Sequence, residues 1–164
     1  MFGQSRMRMG AICALGLIAS QMHCAARGSS SSERPWAAEH IDSLPPDIRR
    51  GIVVREAACG NKAAAGHYFS VSIVASSLQF QSLHFEDFVC ANRASVCNAN
   101  GCLHEVYVES GGRHRLVFRA RARDVRLSNE GGVAGLEVNY GVSNQFFGWD
   151  RTRFVPAAGA SRPR

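Results

Sequence analysis

The chain is predicted to fold as α+β, with N-terminal helices packed on an antiparallel β-sheet and two disulfides stapling the whole. Three observations predict it. Apolar residues recur at helical spacing up to about Val74, and from Leu78 onward they alternate instead. Gly111-Gly112 and Gly131-Gly132 punctuate the alternating runs, and turns that short join antiparallel neighbours. Four cysteines, Cys59, Cys90, Cys97 and Cys102, lie inside this region.

Trp36 to Leu44 suits a short helix, which Pro45-Pro46 ends because proline lacks the amide donor and restricts the residue before it. Pro46 then opens a second helix running to about Ala58, with Ile48, Ile52 and Val53 toward one face and Arg49, Arg50 and Arg55 elsewhere. Cys59-Gly60-Asn61 stops it. Lys62 to about Val74 is alanine-rich, with Ala65, Tyr68, Phe69 and Ile73 at intervals a third helix accepts.

Strands follow. A β-prone run from Phe80 to Cys90 leads through a polar loop to Gly101, and Cys102 to Val108 forms the next strand. After Gly111-Gly112, Leu116, Phe118, Ala120 and Ala122 alternate with Arg113, Arg115, Arg119, Arg121 and Arg123. Val125 and Leu127 continue the apolar series in the opposite phase, so a bulge is expected near Asp124. Leu136 to Tyr140, Phe146 to Trp149 and Thr152 to Val155 complete the sheet.

The ends are of another character. Arg6 and Arg8 precede the apolar run Ala11 to Ser20, the order of a secretory signal peptide, with a small-x-small cleavage pattern at Cys24 and Ala26. An apolar run of about ten residues is half what a membrane-spanning helix needs, so no transmembrane segment is expected in the mature form. Gln21-Met22-His23 ahead of Cys24 does not suit lipid attachment. Residues 1–26 are therefore expected to be removed, 27–35 to be a disordered leader, 36–155 a single domain and 156–164 a disordered tail. Loss of residues 1–26 leaves 17 basic against 13 acidic side chains, a mature net charge of +4. That balance favours anionic surfaces without requiring a polyanion.

Export leaves four of the six cysteines, an even number that reads as two disulfides in an oxidising compartment. Three connectivities are open. Strand ends favour Cys90 with Cys102, which leaves Cys59 to Cys97. No Cys-x-x-Cys, haem-attachment or zinc-knuckle spacing is present, and no cofactor is implied.

Several segments carry a further likeness: Leu44-Pro45-Pro46-x-Ile48-Arg49, His67-Tyr68-Phe69, Leu83-His84-Phe85-x-x-Phe88-x-Cys90, and Cys97-Asn98-x-x-Gly101-Cys102-Leu103-His104-x-Val106-Tyr107-Val108. With Cys59-Gly60 and Gly111-Gly112-x-x-Arg115-Leu116, they resemble a group of small exported alphaproteobacterial proteins to which no activity is assigned. The likeness covers roughly residues 40 to 118. It implies a bacterial envelope location, periplasmic or secreted, and implies no activity.

Five histidines remain after cleavage: His40, His67, His84, His104 and His114. His84 and His104 fall in neighbouring predicted strands with Glu86, Asp87 and Glu105 close in sequence, the residue types of an imidazole and carboxylate metal site. Alternation puts His104 and Glu105 on opposite faces, so both do not reach one ion. The competing reading is a set of half-buried sheet polar groups. An acid and base pair such as His84 with Asp87 has the residue types for hydrolysis, but no Gly-x-Ser-x-Gly turn supplies a nucleophile. The glycine pairs precede strands, not helices, and so are turns and not phosphate loops.

The expected binding surface is the arginine face of Arg113, Arg115, Arg119, Arg121 and Arg123, whose guanidinium groups would recur every ~7 Å. Charge of this kind also protects a sheet edge from pairing. No aromatic platform interleaves with these arginines, so nucleic acid is not the expected partner. The sequence thus predicts a non-catalytic exported module whose partner is an anionic envelope component or an acidic protein. The alternative is a histidine- or metal-dependent envelope hydrolase.

Overall fold

A computed structural model of the chain describes residues 36–60 and 63–157. The expected signal peptide and leader lie outside the described residues, as does the expected tail beyond Ala157.

Proline sets the first elements. Trp36–Ala37 (β1) pairs with the later Ala65–Gly66 (β2), so Trp36 belongs to a strand and only Glu39–Asp42 (α1) is helical before the proline pair. Pro46–Cys59 (α2) starts with proline in its first turn and ends at Gly60, whose φ of 73° is the left-handed conformation glycine takes without steric cost. Ile48 and Ile52 are buried as their spacing requires, while Val53 is exposed. The third expected helix is absent. After a 3-10 turn at His67–Phe69, the residues Ser70–Ala75 form strand β3. Its Val71, Ile73 and Val74 are β-branched and pair with a neighbouring strand, which outweighs the helix propensity of the alanines.

Leu78–His84 (β4), Cys97–Asn98 (β5), Gly101–Ser110 (β6) and Arg113–Ala122 (β7) complete a first antiparallel sheet, in which β4 separates β3 from β6 and both β5 and β7 pair with β6. Asp124–Glu130 (β8), Val133–Asn139 (β9), Asn144–Trp149 (β10) and Phe154–Pro156 (β11) form a second sheet as a meander. The described residues are therefore richer in sheet than expected, with two α-helices among them. Pro156 lies in β11, and the Ala157 amide donates to the Phe146 carbonyl.

The first sheet has a core on each face. Ile41, Ile48 and Ile52 of the helices and Leu44 of the link between them cover Leu83, Phe69, Phe85 and Phe88 on one side. On the other, Phe80, Val106, Val108 and Ala122 meet Val125, Leu136, Val138, Trp149 and Phe154 of the second sheet. The phase slip expected near Asp124 has a different cause: the chain leaves the first sheet after Ala122 and enters the second at Asp124. The bulge is elsewhere. Val106 faces Phe118 and Tyr107 faces Leu116, so Val117 is the extra residue of β7.

The disulfides are Cys59–Cys90 and Cys97–Cys102, not Cys90–Cys102 and Cys59–Cys97. The short β5 strand, formed in a segment whose composition predicts loop, puts Cys97 directly opposite Cys102. Cys59 at the end of α2 then meets Cys90, and the Asn92 amide donates to the Cys59 carbonyl. Chain-entropy arguments give ~3.7 kcal/mol for the bridge spanning 31 residues and ~2.1 kcal/mol for the one spanning 5. Replacing both cysteines of the first pair by alanine should thus lower the melting temperature more than replacing those of the second. Equal losses in calorimetry would contradict this pairing.

Candidate metal centre

His84 ends β4 and His104 sits directly across from it in β6, so their side chains share the face that looks toward the second sheet. Their Nδ1 atoms are 3.2 Å apart. A 3-10 turn at Phe85–Asp87 follows at once and swings Glu86 back over the pair, with Glu86 Oε1 3.9 Å from His84 Nδ1 and Oε2 3.6 Å from His104 Nε2. His104 is fully buried and Glu86 is partly so. Glu105 points the other way, as alternation requires, and takes no part.

Three properties suit this trio to a cation. Two ligands of a tetrahedral ion with bonds of about 2.0–2.1 Å stand about 3.3 Å apart, close to the separation of the two Nδ1 atoms. His104 Nε2 lies 3.3 Å from the Ala122 carbonyl. A donor hydrogen there leaves the Nδ1 lone pair facing His84, the outer-shell arrangement that orients metal-binding imidazoles. Third, Glu86 Oε2 is buried without a hydrogen-bond donor, which is costly for a carboxylate oxygen unless something positive completes it.

The histidine protonation states agree. Burial holds the His84 imidazole below its usual pKa, with the neighbouring His104 adding to the effect, and burial likewise lowers His104. Burial raises the Glu86 carboxyl. Two neutral imidazoles are the ligand form. Beside them a cavity of about 190 Å³ is lined by Tyr68, Val71, His84, Glu86, Asp87 and Asp124. Asp124, from the start of β8, adds negative charge near both histidines and Glu86.

The arginine face is divided. Because of the bulge at Val117, Arg119 and Arg121 stand opposite Glu105 and Leu103 on the helix side, whereas Arg113 and Arg115 stand opposite Ser110 and Val108 on the other. Leu116 likewise leaves the face of Phe118, Ala120 and Ala122. Arg119 Nε pairs with Glu105 Oε1 at 2.8 Å, Arg121 donates to the Ser95 carbonyl, and Arg115 donates to the Thr152 carbonyl. Arg113, Arg115, Arg119 and Arg123 are exposed and Arg121 is half-buried. The five residues do not form one stripe.

No family model, curated protein or solved structure matches the chain.

Proposed function

We propose that this is a small exported protein of the bacterial envelope that binds one divalent transition-metal ion through His84, His104 and Glu86. The observation that carries the reading is the convergence of these three side chains, two of them from directly opposed strand positions, around a buried carboxylate oxygen that lacks a donor. Imidazole and carboxylate together suit zinc, nickel or copper(II) better than calcium or magnesium. The amino-terminal pattern of basic flank and short apolar run supports export, and two disulfides suit an oxidising compartment. An anionic envelope partner would meet the arginines as separate groups and not as one face. Among the described residues no helix is long and apolar enough to cross a membrane.

Titration of chelator-treated protein with zinc chloride tests the reading by calorimetry. One site per chain, lost in the Glu86→Gln and His84→Ala variants, is the expected result. Absence of saturable zinc, nickel and copper binding in the wild-type protein would refute it.

The cavity beside the trio favours a second reading, in which the ion is catalytic. Three protein ligands leave a coordination position open, and Asp87 and Asp124 line the space in front of it as candidate bases. Zinc-dependent hydrolysis of an ester or amide that disappears in Asp124→Asn with zinc affinity intact would establish this second reading.

The histidines also give the metal-free protein a pH dependence. Their folded-state pKa values lie below the ordinary 6.5, so the unfolded chain binds more protons through that window. Stability is then highest above about pH 6.5 and falls as pH drops through the window toward the folded-state values. Denaturant unfolding of the chelated protein from pH 5 to 8 should show this slope, and the His84→Gln variant should flatten it.

A further inference from the structure

At the other end of β4 from His84, roughly 20 Å away by strand rise, three turns border a second, open cavity. The turns join β3 to β4, β8 to β9, and β10 to β11, and the Ser76 amide donates to the Gly132 carbonyl between the first two. The cavity measures about 490 Å³ and is lined by Ser76, Ser77, Leu78, Val133, Trp149 and Arg151. That is within the usual range for a small-molecule site.

Its backbone sets it apart. Among the described residues three that are not glycine have positive φ, Ser76 at 52°, Ser77 at 59° and Arg151 at 85°, and all three line this cavity. Three hairpins here have two-residue turns that need positive φ at both positions. Two of them use Gly111-Gly112 and Gly131-Gly132, the residues that bear this conformation without steric cost. The third uses Ser76-Ser77. Hydroxyl groups thus stand where glycine would be more stable, a pattern that binding sites show.

The lining is chemically one-sided. Arg151 has no ion pair among the described residues, since its neighbour Asp150 is already engaged by the Thr152 and Arg153 amides, the Thr152 hydroxyl and the Arg153 guanidinium. The Trp149 Nε1–H is buried without an acceptor. No carboxylate lines the cavity, and Leu78, Val133 and the indole make its apolar wall. We infer that this cavity binds a small organic carboxylate, its anionic head met by Arg151 and Ser77, and its hydrocarbon part lying against Leu78, Val133 and the Trp149 indole. The site is independent of the metal centre.

Hexanoate is a suitable probe, with hexanol as its uncharged counterpart. The chain has 2 tryptophans, so Trp36→Phe leaves Trp149 as the sole reporter. Its emission should respond saturably to hexanoate, and the indole N–H resonance of Trp149 in the unmodified protein should shift with the same midpoint. Hexanol should bind at least about tenfold more weakly, and Arg151→Gln should weaken hexanoate by about tenfold while leaving hexanol unchanged. Replacing Ser76 and Ser77 by glycine should raise the melting temperature and weaken hexanoate binding together. No saturable response to hexanoate, equal affinity for hexanol, or an unaltered affinity in Arg151→Gln would overturn the inference.

Discussion

Replacing both Arg55 and Arg119 by methionine should destabilise the protein by about 3–5 kcal/mol, the cost of leaving a buried charge without its partners. For a domain of this size that is a fall in melting temperature of roughly 10–20 °C. Glu105 is the reason. It is fully buried beneath α2, and its carboxylate is held by the Arg55 guanidinium, by Arg119 Nε at 2.8 Å and by the Tyr107 hydroxyl at 2.7 Å. Burial, with the Glu105 charge beside it, pushes the Tyr107 phenol upward, so it stays a proton donor to that carboxylate. Arg55 also lies over the Phe85 ring, 5.0 Å from its centroid, and Phe85 belongs to the core under the helix. The guanidinium therefore fastens α2 to the sheet through charge and through packing. Adding Glu105→Leu to the double variant should recover most of the loss, because the cost is that of an unpaired carboxylate and not of the missing arginines. Urea unfolding of the double and triple variants measures both numbers. If the double variant melts like the wild type, the arginines are surface groups and the buried cluster has no structural weight.

That cluster also shows where sequence reasoning reached its limit. Period two correctly separated His104 from Glu105 and correctly marked Phe118, Ala120 and Ala122 as one face, because alternation is a local property of extended backbone. It could not register one extra residue at Val117, since a bulge depends on what the partner strand does, and the error carried Arg113 and Arg115 to the wrong face. The Lys62 to Val74 segment failed for a similar reason. Its alanines favour helix only weakly, and pairing of β3 with β4 decided the outcome. The disulfides followed a hairpin of two residues per strand that has no signal of its own in a polar loop. His84, His104 and Glu86 were legible because two short sequence segments hold all three. Asp124 was not, because only the passage of the chain from one sheet to the other brings it near them.

Zinc at about a thousand times its dissociation constant should stabilise the wild-type protein by ~4.1 kcal/mol, since an ion that binds the folded chain alone adds RT ln(1 + [L]/Kd). The gain should be nearly absent in Glu86→Gln. That substitution keeps the shape of the side chain and removes its charge. Without metal the variant should consequently be no less stable than the wild type, because a buried amide costs less than a buried carboxylate. The two effects have opposite signs, and this separates a metal centre from a merely structural trio. A structural trio would lose stability on Glu86→Gln and respond equally to zinc in both proteins. Acidity should act on the metal-loaded form as well: neutral imidazoles are the ligands, so the zinc-dependent gain should diminish as pH falls and the histidines take up protons. Thermal unfolding with zinc and with chelator, for both proteins at pH 7.5 and 5.5, gives every quantity needed. A zinc-dependent gain that is the same size in Glu86→Gln as in the wild type would remove the carboxylate, and with it the proposed centre.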